Sequence, residues 1–246
     1  MKLFRKLLLI MDLRPGPFSK DYSTRIDLPI KNNTFYRRLK RRIKGKTCIR
    51  PFFDENKCIF IHVPKVAGTS IKNILFPDSK GIGHKLAMDC YLDAPEKFEK
   101  YFVFAFVRNP YDRLVSAYNY LMQGGKGGAR DLQFRDRYLT AYEDFTDFVV
   151  RGLNKPEMAC YWHFMQQHYY VVNFRGEIMV DFIGYFENIE EDFNKVAQKL
   201  GVDVALPHKN KSSRHPYQGY YTEETREIAY QYYKKDFELL GYPEAL

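Results

Sequence analysis

CIFIHVPKVAGTSIK, residues 58–72, is the stretch whose reading decides the fold. Cys58 to Val63 is an apolar run of strand length, interrupted only by His62. Pro64 ends the ladder because it has no N–H to donate. Lys65 then projects where sheet meets turn. Gly68 permits close approach of the backbone, and Thr69 and Ser70 open a helix expected over about residues 69–76. The first N–H groups of such a helix have no intrahelical acceptor, and its dipole favours an anion there. Strand, small-residue turn and helix together make a phosphate-holding shape. Its lysine precedes the glycine, so the turn lacks the Gly-Lys-[Ser/Thr] ending of an ATP-binding loop.

Working outward, YFVFAFV (101–107) is a second continuous apolar run, followed by RNPYDRLVSAY (108–118). Arg108 stands at the end of this strand with a fork suited to phosphate. Asn109 is expected to cap a helix over 110–122, with Pro110 at its first position, where no N–H is needed. Ser116 lies nearly two turns into that helix; its plainer reading is a serine bonded to its own backbone. Two anchors on neighbouring strand ends point to a ligand with two separate charged groups. EIMVDFIGYF (177–186) reads as a further strand. The helix after it has Asn188 as N-cap, Glu191 three residues on and Gly201 past Leu200. A last helix runs from about Thr222 to Leu240, with no clear buried face. The βαβα order with apolar strands predicts an α/β fold, its parallel sheet covered on both faces and its ligands beyond the carboxyl ends of the strands.

The two motifs together resemble the sulfotransferases that use 3′-phosphoadenosine 5′-phosphosulfate (PAPS), especially the carbohydrate branch. VPKVAGTSIK is similar to the family's 5′-phosphosulfate loop, and FVRNPYDRLVSAY to its 3′-phosphate motif. A weaker likeness continues through DFIGYFENIEEDF and KSSRHPYQGYYTEETREIAYQYYKKDFELLGY, to about residue 242. The resemblance implies a P-loop-like three-layer α/β/α domain with a central, mostly parallel sheet. It implies PAPS as co-substrate and an acceptor hydroxyl, on a carbohydrate or another molecule. Lys65 would contact the sulfonate and the bridging oxygen. Ala67, Gly68, Thr69 and Ser70, with Lys65, would bind the 5′-phosphate, and Arg108 and Ser116 the 3′-phosphate. Lys211, Ser212, Ser213 and Arg214 resemble a late loop that closes over the nucleotide; a solvated loop is the plainer reading. Val66 stands where similar loops often carry Thr.

Sulfonate transfer between oxygens needs positioning, a base and leaving-group stabilisation, and requires no metal. His84 in GIGHKLAMD is the candidate base, because an imidazole titrates near working pH and similar enzymes carry a His-bearing element there. Glu187 and Asp89 are carboxylate alternatives. His62 lies inside the first strand. His163 and His168 belong to an aromatic-rich segment, 157–175, in which Trp162, Tyr161, Tyr169 and Tyr170 either pack or stack on a sugar. His208 and His215 flank the late loop. The Gly-rich QGGKGGAR (123–130) reads as a flap.

The chain has 246 residues, enough for one sizeable core. Aromatics reach 17%, which fits a ring-rich core or a ring-lined groove. The formal net charge of +9 is local: residues 31–50 hold nine Lys or Arg and no acid, leaving 30 basic against 30 acidic residues elsewhere. Residues 1–50 are therefore read as a basic arm, partly helical over 34–44, and 51–246 as the catalytic domain. The arm suits peripheral contact with a membrane or a docked acceptor. The apolar run Leu7 to Met11 is too short to span a bilayer and lacks a signal-peptidase site, so a cytoplasmic protein is expected. Four scattered cysteines show no zinc spacing; a reducing compartment fits, with two disulfides left open. Two other classes compete. A P-loop kinase or NTPase needs Lys-[Ser/Thr] after the glycine and a strand ending in Asp, and neither is found in the first two strands. A non-catalytic polyanion binder rests on the basic stripe alone, without a nucleic-acid-binding motif. Oligomeric state leaves no trace in the sequence.

Overall fold

The structure, a computed structural model, describes residues 47–79, 81–206 and 216–245. Residues 1–46 of the basic arm, with the expected helix 34–44, and Lys211, Ser212, Ser213, Arg214, His208 and His215 lie outside the described residues.

Three short strands form one parallel sheet in the order β1 (Cys58–Ile61), β2 (Phe102–Val107), β3 (Phe182–Tyr185). Phe60 pairs with Phe104, and Phe106 with Gly184. All four residues of β1 and five of six in β2 are buried, so both faces of the sheet are covered, as continuous apolar runs require. The rings serve the core: Phe60 stacks on Phe104 at 5.0 Å, and Phe104 lies 5.5 Å from Phe102. The α/β expectation holds.

Helix α1 (Pro51–Glu55) precedes β1, and α2 (Gly68–Leu75), α3 (Ala87–Asp93) and α4 (Pro95–Lys100) connect β1 to β2. The crossover to β3 is long and carries α5 (Pro110–Met122), α6 (Ala129–Tyr138), α7 (Phe145–Arg151), α8 (Pro156–Cys160) and α9 (His168–Val171). After β3 come α10 (Ile189–Leu200) and α11 (Glu223–Leu240). Two cores result. One surrounds the sheet and takes in Cys48, Ile49, Val66, Ile71 and Phe193. The other joins α5, α6, α7 and α11 through Tyr111, Leu114, Phe134, Phe148 and Tyr233. The four cysteines are free; Cys48, Cys58 and Cys90 are buried.

Two local readings are corrected. The third strand covers only Phe182–Tyr185, because Asp181 closes it. The Asp181 carboxylate accepts from the Val103 N–H at 2.8 Å while the Asp181 N–H donates to the Val103 carbonyl at 2.7 Å. Residues before it turn back, and Ile178 makes an isolated antiparallel bridge with Val172. The capping box at Asn188 does not form. Asn188 occupies the N-cap position without a side-chain bond, and Asp192 instead accepts from the Tyr185 N–H at 2.8 Å. Gly201 ends α10 in the left-handed region, as expected. Helix α11 buries Thr225, Ala229, Tyr233, Asp236, Phe237 and Leu240, and Thr222 with Thr225 forms a capping box at its start. Among the described residues, no helix is long and apolar enough to cross a membrane.

Candidate active site at the carboxyl edge of the sheet

Lys65 and Ala67 both adopt positive φ, 72° and 62°, which costs non-glycine residues on the order of 1 kcal/mol or more each. This pair of left-handed residues curls the chain between β1 and α2. Ala67 ends the curl by accepting from the Ser70 N–H at 2.8 Å and the Ile71 N–H at 3.2 Å. The N–H groups of Gly68 and Thr69 open the helix and have no carbonyl one turn back to bond. Gly68 is required here for space: a Cβ on it would fall 2.1 Å from the His62 ring. The Thr69 side chain is exposed, and Ser70 and Lys65 are half-buried. A curled loop, two orphan donors, two hydroxyls and an ammonium form a concave donor set that fits a phosphate-type oxyanion.

The second motif meets the first directly. Arg108 follows the last residue of β2, and its Nη1 donates to the Lys65 carbonyl at 3.2 Å. Its Nε and Nη2 reach Asp112 Oδ2 at 2.7 and 2.6 Å, and its Cζ lies 4.0 Å from the Phe186 ring centroid. Gln167 pins the backbone, accepting from the Arg108 N–H at 3.0 Å and donating to the Arg108 carbonyl at 2.7 Å. Asn109 caps α5 as expected, accepting from the Tyr111 and Asp112 N–H groups. Glu187, a carboxylate alternative for the base, accepts from the Asn109 N–H at 2.6 Å and the Tyr242 hydroxyl at 3.0 Å. Asp89 is fully buried in α3. Ser116 is half-buried on α5. Tyr217 stands near Arg108, Asp112 and Glu187; burial chiefly, and then the two carboxylates, push its phenol up.

Arg113 was not singled out in the sequence, yet it ties the two halves together. It is fully buried. Its Nε donates to the Pro64 carbonyl at 3.1 Å, and its Nη2 to the His163 and Met165 carbonyls at 3.1 and 2.8 Å. One turn and three residues further along α5, Tyr120 lies under Lys65, whose Nζ sits 3.7 Å from the ring centroid. Arg113 and Tyr120 share one helix face with Ser116 by their spacing, which is the signal that could have found them.

His84 Nδ1 lies 2.9 Å from the His62 carbonyl. A carbonyl only accepts, so Nδ1 carries the proton and Nε2 keeps its lone pair. The His84 ring is 4.4 Å from His62 and 6.3 Å from His163. Burial, the main cause, holds its pKa below the ordinary 6.5; Arg113 and Lys85 act the same way, and the His62 carbonyl bond, then Asp131, oppose them. His163 is buried and pushed down to about 4, chiefly by burial. Beside it, Asp131 is held at about 2, with His163 the largest cause and the Tyr161 and Tyr120 hydroxyls adding to it. Asp131 and His163 were missed as a pair because 32 sequence positions separate them and no local pattern links them. In the aromatic segment, Tyr161 and Tyr170 are buried, whereas Trp162 and Tyr169 are half-buried. Trp162 stacks on Tyr161 at 4.6 Å, with the Arg130 guanidinium 5.9 Å away. His168 is buried against Asp236 at 2.7 Å, so it packs and does not face the site.

The sequence profile of the sulfotransferase family matches residues 52–243. Carbohydrate sulfotransferase 14 of Danio rerio is 28% identical, over 77% of this chain and 61% of its own length. Carbohydrate sulfotransferase 10 of Homo sapiens is 25% identical, over 77% of this chain and 65% of its own. An uncharacterized protein of Archaeoglobus fulgidus is 34% identical over 110 residues, covering 44% of this chain and 75% of its own. The chain thus spans less than two thirds of the carbohydrate sulfotransferases it matches. No solved structure gives a significant match.

Proposed function

The chain belongs to the sulfotransferase family, and on that premise we propose that it moves a sulfonate from PAPS to an acceptor hydroxyl, with a carbohydrate as the acceptor. One observation carries the reading: the Arg108 guanidinium bonds the Lys65 backbone carbonyl, so the second motif's cation meets the loop of the first where two adjacent strands end. A donor with phosphates at both ends of a nucleoside needs such a pair. The names of the related carbohydrate sulfotransferases support the acceptor class.

PAPS, when bound, supplies an activated sulfonate on a good phosphate leaving group. The loop N–H groups of Gly68 and Thr69, with the Thr69 and Ser70 hydroxyls, hold the 5′-phosphate, and Ala67 shapes their curl. Arg108 and Ser116 hold the 3′-phosphate. For Arg108 this means sharing its fork with Asp112, which keeps the guanidinium flat and aimed. Lys65 leaves the face of Tyr120 for the bridging oxygen and neutralises charge there as the old S–O bond breaks. His84 Nε2 takes the acceptor's proton as the new S–O bond forms. Ser212, Ser213 and Arg214 complete the nucleotide site from the late loop, and the half-buried Trp162 offers a face for a sugar ring. The arm, residues 1–50, docks acceptor or membrane.

The test is PAPS-dependent sulfonate transfer to a panel of glycans. Lys65→Ala is expected to lower kcat about 10²–10³-fold, the usual loss of one preorganised charge. Turnover in that variant equal to wild type would exclude the mechanism, and no transfer by the wild-type chain to any hydroxyl would exclude the function.

A further inference from the structure

We propose that Asp131 is a positioning residue for the transfer: from the head of α6 its carboxylate holds Tyr120, Tyr161 and His163, and through them it fixes the resting place of the Lys65 ammonium and the packing of the imidazoles around His84. The proposal rests on the sulfotransferase reading of this site and extends it to a residue no motif marks.

The carboxylate is the hub of three ring-bearing side chains. Tyr120 donates to Oδ2 at 3.2 Å and Tyr161 to Oδ1 at 2.5 Å, and His163 Nε2 stands 3.7 Å from Oδ1. His163 in turn lies 5.0 Å from the Tyr120 ring and 6.3 Å from the His84 ring. The Lys65 ammonium rests on the Tyr120 face. A phenol that donates to a carboxylate has a more electron-rich ring, so this bond strengthens the hold on the cation. The preceding turn is built around the carboxylate. Gly125 has φ 64°, and a Cβ on it would lie 2.7 Å from Asp131 Oδ2. The Gly125 N–H donates back to the Tyr120 carbonyl at 2.8 Å, which folds the head of α6 onto the end of α5.

Asp131 also has an electrostatic reach. The charged and titratable groups facing His84 are His62 at the end of β1, Arg113 on α5, Asp131 on α6, His163 after α8, and its neighbour Lys85. Asp131 is the acid among them and, after the larger effect of the His62 carbonyl bond, favours the imidazolium, whereas burial, Arg113 and Lys85 disfavour it. Removing its charge lowers the proton affinity of His84 further. The acid limb of the rate profile then moves to lower pH, which a merely structural loss would not do.

The variant is Asp131→Asn in the full-length chain, which keeps the shape and one acceptor oxygen. An NMR titration of His84 needs no activity and is expected to show a lower midpoint than wild type. Transfer kinetics are expected to show kcat down roughly 10–100-fold, the scale of a misplaced catalytic group. Binding of 3′,5′-bisphosphoadenosine by calorimetry should stay within about twofold, as for an interaction used only in the transition state. Tyr120→Phe, which removes only one hydroxyl, is expected to lower kcat less and to leave the His84 midpoint in place. An unchanged His84 midpoint, an unchanged kcat, or a rate loss matched by loss of nucleotide binding would overturn the proposal. A wild-type chain that transfers no sulfonate would count against the transfer reading instead, and the titration would still decide the hold of Asp131 on His84.

Discussion

His84 shows how much a single hydrogen bond can determine. Its Nδ1 proton is committed to the His62 carbonyl, so the lone pair that can act as base is on Nε2. Burial favours the neutral ring, which is the active form of a base. For His84 as the proposed base the sign follows: protonation would disable it, and its folded pKa lies below 6.5, so the acid limb of kcat/KM should lie below pH 6.5. His84→Gln should keep bisphosphoadenosine affinity and lose about 10²–10⁴-fold in rate, the usual contribution of general base catalysis. A pH–rate profile with its acid limb above 6.5, or a His84→Gln rate equal to wild type, would move the base elsewhere. His84 was singled out in the sequence by its place after the first phosphate helix and by the His-bearing element of similar enzymes. Its tautomer was not, because that depends on a carbonyl 22 residues away.

At the scale of elements, the strands and helices that carry the motifs follow from local rules. Apolar runs made β1 and β2, Pro110 with Asn109 started α5, and Gly201 stopped α10. The departures came where a side chain replaced a backbone partner, as Asp181 does at β3 and Asp192 does for Asn188. Asp236 does the same at a distance. From α11 it accepts from the Gln167 N–H at 2.7 Å, the His168 N–H at 2.8 Å and His168 Nδ1 at 2.7 Å, all buried. Gln167 in turn clamps the Arg108 backbone. Periodicity cannot find such a residue, since it reads as a polar interruption in a helix face. Asp236→Ala would leave several buried donors without an acceptor, at about 1–3 kcal/mol each. Urea unfolding should show at least about 3 kcal/mol of lost stability. A loss under about 1 kcal/mol would mean that Asp236 does not staple α11 to this segment.

Across the whole molecule, the two cores meet where the chemistry is proposed. The sheet core presents the loop after β1 and the end of β2, and the helical core supplies Tyr120 and Asp131. Arg113 crosses between them, fully buried, binding Pro64 on one side and the 163–165 segment on the other. Two short motifs marked the sheet side of the candidate site, because each is a strand end joined to a helix start. The helical side is assembled from segments far apart in the chain, so nothing local announced it. What joins the whole is the claim that Lys65 and Arg108 grip one nucleotide from opposite ends. The most direct measurement is a crystal structure of the full chain with 3′,5′-bisphosphoadenosine. The expected result is one phosphate on the Gly68 and Thr69 N–H groups within reach of Lys65, and the other on Arg108 and Ser116. A nucleotide bound with neither phosphate at Arg108, or bound away from the loop after β1, would contradict it.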